Sequence, residues 1–465
     1  MNFKKYLLAG TAMMAMSFFA ACSDDDQPVN NGGSEPGGDE PEQTETVSGE
    51  VEGTWTANSV VNVSGHITVP EGKSLTIEEG VQVIFSTSGV GTNHVPIEFT
   101  VEGNLYCEGT EANPVLLSIP EAERTEDNTL KGMWGGIVAT ESCDEMLINH
   151  TIIEYTGGQV TDGSPAASAG IYTAGDDAYP QITTNNINGN YVITNSIIRN
   201  GWSDGIYLMG GNAIIANNTF AANGYDGAEA VNVKAGCKVD VAGNIMFSPN
   251  TNGLKLSSSG QSETRGQALI QAYNNTIINS GWRRDGEKGG CIYVEKNALV
   301  HVFNNLMVNC KFRAMTPSYT LANDPEEGYA DASVIDYNYY ASGSQESEIV
   351  FEDESGVAYA WEGYNYAHED YNQGVVDAHS LIATQEDGKD PMFVNFDING
   401  VSLTSYTYDD SWDFHVQSGS PVLTGAYDGT DATMAPFFQT SGLTVNGETY
   451  TSPAVANHFG AYGIE

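Results

Sequence analysis

An all-β solenoid is the fold class this sequence predicts, and three observations predict it. From about residue 140 onward, short β-branched and aromatic runs recur at spacings of 22 to 30 residues, as from Asn195 to Asn217 and from Asn274 to Asn304. Each run carries Asn or Gly at the same place: Ile193-Thr-Asn195-Ser-Ile197-Ile198, Ile215-Ala-Asn217-Asn218-Thr-Phe220, Val241-Ala-Gly-Asn244-Ile-Met246-Phe247, Tyr273-Asn274-Asn275-Thr-Ile277-Ile278 and Phe303-Asn304-Asn305-Leu-Met307-Val308. The runs are also too short to present the three-and-four spacing of a helix face. Stacked as coils ~4.8 Å apart, their aliphatic positions pile into one continuous core. The repeated Asn has its own reason. At a sharp bend its amide bonds the backbone and the equivalent amide one coil on, and Asn tolerates left-handed backbone geometry.

Taken in order, the chain opens with Lys4, Lys5 and an apolar run from Tyr6 to Ala21. That run is shorter than the ~20 apolar residues of a membrane-spanning helix, so residues 1–21 read as an export signal peptide. Phe19-Ala20-Ala21-Cys22 resembles a bacterial lipobox, and Ser23-Asp24-Asp25-Asp26 resembles the surface-export tag of Bacteroides-type lipoproteins. The resemblance implies a lipoprotein with acyl chains (palmitate among them) on Cys22, anchored in the outer membrane and facing the cell exterior. Residues 22–49 are Pro, Gly, Glu and Asn with almost nothing to bury, an acidic disordered tether that holds the body ~30 Å or more from the membrane.

The body is expected over residues 50–465. Its first part alternates short strands with Gly turns: Ile67-Thr-Val69-Pro70-Glu-Gly72, Leu75-Thr-Ile77-Glu-Glu-Gly80, Phe99-Thr-Val101-Glu-Gly103 and Trp134-Gly135-Gly136-Ile137-Val138. This succession resembles the opening coils of the right-handed parallel β-helix (pectate-lyase-like) proteins of Bacteroidetes. So does the end, with Asp390-Pro391-Met-Phe393 and Phe459-Gly460-Ala461-Tyr462-Gly463. The resemblance implies a single right-handed parallel β-helix with long C-terminal loops. It says little about activity, because this architecture hosts lyases, hydrolases, adhesins and spacers alike. Between residues 316 and 385 the repeat loosens into Tyr-, Asp- and Glu-rich sequence, expected as loops draped over the last coils rather than a second domain.

With 17 basic and 61 acidic residues the formal net charge is −44. Such a field repels nucleic acid and anionic lipid, which excludes nucleic-acid partners. It is compatible with loosely held Ca2+, and no other cofactor is indicated. Beyond Cys22, the five cysteines Cys107, Cys143, Cys237, Cys291 and Cys310 have no CxxC spacing, so a zinc cage is not expected. Cys291 and Cys310 are the nearest pair for a disulfide, although buried core thiols are the favoured reading.

Three constellations bear on chemistry. The first is a recurring turn: Asn200-Gly201-Trp202-Ser203-Asp204-Gly205, Asn223-Gly224-Tyr225-Asp226-Gly227 and Ser280-Gly281-Trp282-Arg283-Arg284-Asp285-Gly286. In register, Trp202, Tyr225 and Trp282 would line one edge beside Asp204, Asp226, Arg284 and Asp285. Sugar rings stack on aromatic faces while carboxylates and amides take their hydroxyls. The structural alternative is that Asp-Gly makes the turn and the aromatic caps the core edge. The second is a cluster of ten of the seventeen basic residues between Lys234 and Arg313, a patch for an anionic polymer or a set of local salt bridges. The third lies inside that cluster. Glu229-Ala-Val-Asn-Val-Lys234, with Lys255 one coil later, is similar to the Glu…Lys…Arg arrangement of β-helix alginate and chondroitin lyases. The resemblance implies Lys234 as a base that removes the proton α to a uronate carboxylate, with Lys255 where Arg is expected and Glu229 among acidic residues holding Ca2+.

Paired carboxylates such as Asp204 with Asp226 would instead suit glycoside hydrolysis. No HExxH, GxSxG or phosphate loop is present, and the eight His lack ligand spacing. The leading expectation is therefore a non-catalytic surface lipoprotein that binds glycan or a partner along the solenoid edge. The alternative is a carbohydrate-active enzyme, most concretely a calcium-assisted lyase on anionic polysaccharide. A file of exposed aromatics favours the first; a convergent cleft over Glu229, Lys234, Lys255 and Arg284 favours the second.

Overall fold

Each coil is three short strands separated by tight corners, and each strand pairs in parallel with its equivalent one coil away. The computed structural model describes residues 44–285, 289–311, 315–317, 330, 332–345, 350–352, 358–360, 378–383 and 390–464. One coil runs through Gly211–Ala216, Thr219–Ala221 and Glu229–Val233; the next runs through Cys237–Ala242, Ile245–Phe247 and Asn252–Ser257. The first strands of successive coils form a ten-stranded parallel sheet, here the first face. The second and third strands form two further faces. They join into one twenty-stranded sheet because Thr44–Glu50 and Val60–Val69 each run round the corner between them. Connections between parallel strands are right-handed for steric reasons, and the result is a right-handed parallel β-helix. The expected all-β solenoid is what forms. It starts earlier than the boundary at residue 50, since Thr44–Glu50 already pairs with Val60–Val69. Cys22, the signal segment, residues 22–43 of the tether, Lys288, Arg313 and most of residues 316–385 lie outside the described residues.

Alternation decides what is buried. In Glu229–Val233, Asn252–Ser257 and Ile292–Glu295, the residues Val231, Val233, Leu254, Leu256, Ile292 and Val294 point inward and are at most 1% exposed. They join aliphatic files from the other faces in one core that runs from Val51 to Tyr340.

The Asn repeat divides its two expected tasks between neighbouring residues. Asn195, Asn217, Asn274 and Asn304 take φ between 50° and 57°, which turns the corner out of the first face. The residue after each one, or after Gly243 and Tyr337, points inward and builds a ladder. Ser196 N donates to Asn218 Oδ1 (2.9 Å), and Asn218 Nδ2 donates to Asn244 Oδ1 (3.0 Å). Asn244 Nδ2 then donates to Asn275 Oδ1 (2.9 Å), Asn275 to Asn305 (2.9 Å) and Asn305 to Asn338 (3.0 Å). The second amide hydrogen of each goes to a core-strand carbonyl such as Ile215 O or Val241 O. Every Asn amide of the ladder is thereby satisfied, as burial demands. Two of the left-handed Asn residues, Asn274 and Asn304, hold the C-terminal segment. Asn304 Nδ2 donates to Tyr427 O and Ala456 O at 2.9 Å each, and Asn274 Nδ2 donates to His458 O at 2.7 Å.

That C-terminal segment covers two of the three faces. On the first face Phe438, Leu443 and Val445 pack on Tyr106, Leu147, Val192 and Ile214. A buried carboxylate clasps it there: Asp240 accepts from Phe437 N (3.0 Å), Phe438 N (2.9 Å) and Ser452 Oγ (2.6 Å). On the second face Phe393, Phe396 and Phe414 cover Phe247, Ile278 and Val308. This segment thus reaches back to the early coils.

Cys107, Cys143 and Cys237 are buried thiols, as favoured. Cys291 and Cys310 depart from that reading: they form a disulfide, with Cα atoms 5.8 Å apart. Each sits beside the corner between second and third faces on neighbouring coils, which brings them within bridging range.

Asn275→Ala removes four hydrogen bonds from the ladder and leaves the backbone N–H and Nδ2 of Asn244 without their acceptor. The expected cost is ~3 kcal/mol, from ~1–3 kcal/mol per unsatisfied buried group. Urea denaturation of wild type and variant measures it, and a loss below ~1 kcal/mol would show that the ladder is dispensable.

Candidate functional site

With the first two faces covered, ionisable side chains gather on the third. Its central strands alternate aliphatic residues inward with polar residues outward, and the coil register sets Tyr207, Asn232, Lys255 and Tyr293 side by side. At the strand starts Asp204 and Glu229 meet across one coil step. Gly205 permits this approach, since a Cβ there would lie 2.6 Å from Ala230 O. Asp204 Oδ1 accepts from Glu229 N (2.7 Å), and the two carboxyls are hydrogen-bonded to each other. Both Glu229 oxygens are also engaged, by Asn252 Nδ2 and Asn232 Nδ2 at 3.1 Å each. Asp204 and Glu229 are buried. Two buried carboxylates in contact repel each other, which favours the protonated form of Asp204. Burial, then the charge of Glu229, pushes the Asp204 carboxyl well above the ordinary carboxylate range.

The two lysines are driven apart in basicity. Burial and then the neighbouring Lys255 ammonium pull Lys234 below the ordinary lysine value, although Glu229 and Asp204 oppose them. Burial also pulls Lys255 down, but Glu229 and Glu295 outweigh it and hold that ammonium above the ordinary range. Lys255 Nζ lies 3.3 Å from Glu295 Oε1, and Ser257 Oγ donates to the same oxygen (3.0 Å). Each ammonium lies over a tyrosine: Lys234 over Tyr207 (5.2 Å to the ring centre) and Lys255 over Tyr293 (5.7 Å). The site therefore contains a carboxyl whose pKa is raised, a lysine whose pKa is lowered and a lysine whose pKa is raised. Divergent pKa values of this kind mark acid and base roles.

Four of the residues singled out in the sequence come together here: Asp204, Glu229, Lys234 and Lys255. Others do not. Asp226 does not pair with Asp204; its carboxylate is 79% exposed and ion-paired with Arg284. Asp285 is exposed. The expected aromatic file is broken. Trp202 and Tyr225 meet edge to face at 5.8 Å, and Tyr225 is 62% exposed. Trp282, however, is only 3% exposed, packs on Leu403 and donates from Nε1 to Asn309 O (2.7 Å). The coil between them turns through Pro249-Asn250-Thr251 with no aromatic, so Trp282 stands a coil farther on as a core-edge cap. Arg283 is likewise structural, with its guanidinium on the carbonyls of Asn223, Gly224 and Ser248.

Tyr207, Asn232, Asn252, Tyr293 and Glu295 were not singled out. For Tyr207, Asn232 and Tyr293 the signal was the middle residue of Ile206-Tyr207-Leu208, Val231-Asn232-Val233 and Ile292-Tyr293-Val294, the position that Lys255 holds in Leu254-Lys255-Leu256, between two core aliphatics in each coil. Calcium, implied by the lyase resemblance, does not fit this arrangement. A hard cation takes six to eight oxygen ligands, whereas here amide N–H groups occupy both Glu229 oxygens and the Glu229 N–H occupies Asp204 Oδ1. Among the described residues no group of three or more His, Cys, Asp and Glu is placed to hold a metal ion.

Residues 46–164 match the family model described as pectate-lyase like beta helix domain. That stretch is the opening coils, and the parallel coils carrying the site continue beyond it. No curated protein and no solved structure matches the chain.

The raised Asp204 pKa has a consequence for stability. A carboxyl whose folded pKa exceeds its unfolded value stabilises the fold fully below the unfolded value, 3.8. It loses that contribution as pH rises through the folded value. Asp204→Asn removes this dependence. The stability of wild type minus variant is therefore expected to fall as pH rises from about 4 to about 8. Thermal melts at several pH values test this, and a difference that grows with pH contradicts the raised Asp204 pKa.

Proposed function

We propose that the third face is a catalytic site that depolymerises an anionic, uronate-containing polysaccharide by β-elimination. The observation that carries this reading is the convergence of the Asp204–Glu229 pair with Lys234 and Lys255 on the third face, away from the two faces on which the described part of the C-terminal segment packs. Neutral Lys234 takes the proton from the carbon α to the uronate carboxylate. The electron pair of that C–H bond becomes a C=C bond as the bond from the β-carbon to the glycosidic oxygen breaks. The leaving oxygen receives the proton of the Asp204 carboxyl. The Lys255 ammonium pairs with the substrate carboxylate and stabilises the negative charge that builds as the α-proton departs. No metal ion takes part in these steps. Hydrolysis by two separate carboxylates is less well supported, because Asp204 and Glu229 touch, whereas hydrolytic pairs stand ~5–9.5 Å apart.

In this reading the chain is a surface lipoprotein, lipid-modified at Cys22, anchored in the outer membrane and facing the cell exterior, where such polymers are met. A second reading, non-catalytic glycan binding, is favoured by the exposed Trp202–Tyr225 pair, which offers one aromatic step beside the site. Loss of retention in glycan affinity gels by Tyr225→Ala, with no turnover by wild type, would establish binding alone.

The catalytic test is absorbance of unsaturated products from alginate, pectate and chondroitin, with and without calcium. Lys234→Ala is expected to lower kcat by ~10²–10⁴-fold with little change in KM, the usual contribution of a positioned base. Wild-type kcat/KM is expected to pass through a maximum with pH, rising as Lys234 loses its proton below the ordinary lysine value of 10.5 and falling as the Asp204 carboxyl loses the proton that the leaving oxygen needs. Turnover that survives Lys234→Ala unchanged would remove lysine from the base role.

A further inference from the structure

Outward positions on the third face form one file from coil to coil: Val138, Thr183, Tyr207, Asn232, Lys255 and Tyr293. Only its later part is open. Val138 and Thr183 are fully buried, whereas Tyr207, Lys255 and Tyr293 are partly exposed. The cause is the long excursion between the second-face strand Thr151–Glu154 and the third-face strand Ile182–Thr184. It folds back across the face, packs Val160, Ala166 and Tyr179 on Val138, and sets Tyr172 Oη 2.7 Å from Thr183 Oγ1.

This excursion is braced as a wall. The buried carboxylate of Glu98 accepts from Ala166 N (2.9 Å) and Tyr179 Oη (2.8 Å), two anchors near opposite ends of it. Within it Val160 N donates to Asp177 O (2.9 Å), Gly175 N to Val160 O (2.8 Å) and Thr173 N to Asp177 Oδ2 (2.6 Å). Tyr172 and Tyr179 pack edge to face at 6.3 Å. From Thr183 to Asn232, beside Lys234, is two coil steps, ~10 Å at ~4.8 Å per step. The polar groups run along the solenoid axis, with Asp204, Glu229 and Asn252 in one file and Tyr207, Asn232 and Lys255 in the next. A glycan that uses both files lies along that axis and meets the wall.

Resting on the reading of the third face as a depolymerising site, we propose that the wall at Tyr172 makes it exolytic. The end of the polymer abuts Tyr172 and Thr183, the scissile bond lies over Lys234, and each turnover releases the short stub between them. A closed end leaves no path for an internal stretch of polymer to run past the base toward the earlier coils.

Viscosity and product size, followed together during turnover of alginate, pectate or chondroitin by the full chain, test this. Mono- and disaccharide products are expected from the first time points, with viscosity nearly unchanged while product absorbance climbs. An early collapse of viscosity with a ladder of mid-sized oligomers would overturn the wall's role while leaving the elimination reading intact. Absence of product from all three polymers would overturn the elimination reading and this one with it. Replacing residues 160–178 by a short Gly-Ser bridge is expected to convert the profile to the endolytic one, and Tyr172→Ala, which keeps the Glu98 anchors, to broaden product size. The wild-type profile decides the question even where the shortened chain fails to fold.

Discussion

Stacking of each coil on its predecessor is the constraint on which everything else in this chain depends. Parallel backbone hydrogen bonds supply the spacing but not the register, because a strand with aliphatic residues at alternate positions can slip by two. The buried ladder from Ser196 to Asn338 removes that freedom. Each Asn must meet the next at 2.9–3.0 Å, and a slipped coil would leave charged-quality donors and acceptors orphaned in an apolar interior. Register in turn decides which side chains become neighbours. Asp204 and Glu229 are 25 residues apart in sequence and in contact because the coil between them has that length.

Coverage then selects the face that can work. The C-terminal segment spends its aromatic residues on the first and second faces, held by Asp240 and by the outward amides of Asn274 and Asn304. The excursion ahead of Ile182–Thr184 closes the early third face. What stays open among the described residues is a strip a few coils long, and that strip holds the buried carboxyl pair and the two lysines. In a chain of net charge −44, a polyanion approaches against the overall field. Lys234 and Lys255 answer it locally, and burial, then the neighbouring Lys255 ammonium, depresses the basicity of Lys234.

Much of this was legible in the sequence, and particular residues explain why. The paired Asn residues carry both the left-handed corner and the amide ladder, so the solenoid could be read from Asn217-Asn218 and Asn274-Asn275 alone. Glu229, Lys234 and Lys255 could be placed near one another because Lys255 follows the Glu229–Lys234 strand by one coil. The aromatic edge misled. Trp202, Tyr225 and Trp282 share a Gly-aromatic motif, but an intervening coil without the motif breaks the file, and Leu403 from a distant loop buries Trp282. Asp204 was legible as a residue but not in its role, because its partner is Glu229 rather than the Asp226 of the matching turn.

The sequence by itself determined the parallel coils, because they are written in local, periodic chemistry: aliphatic alternation, Asn at corners and Gly where a corner is tight. Only the tertiary structure decided which faces the described C-terminal residues cover, which carboxylates meet, that Cys291 bonds to Cys310, and that a wall stands at Tyr172. Those depend on segments far apart in the chain meeting across a face. No periodicity records such meetings, since they follow from where each coil and its excursions come to rest in space.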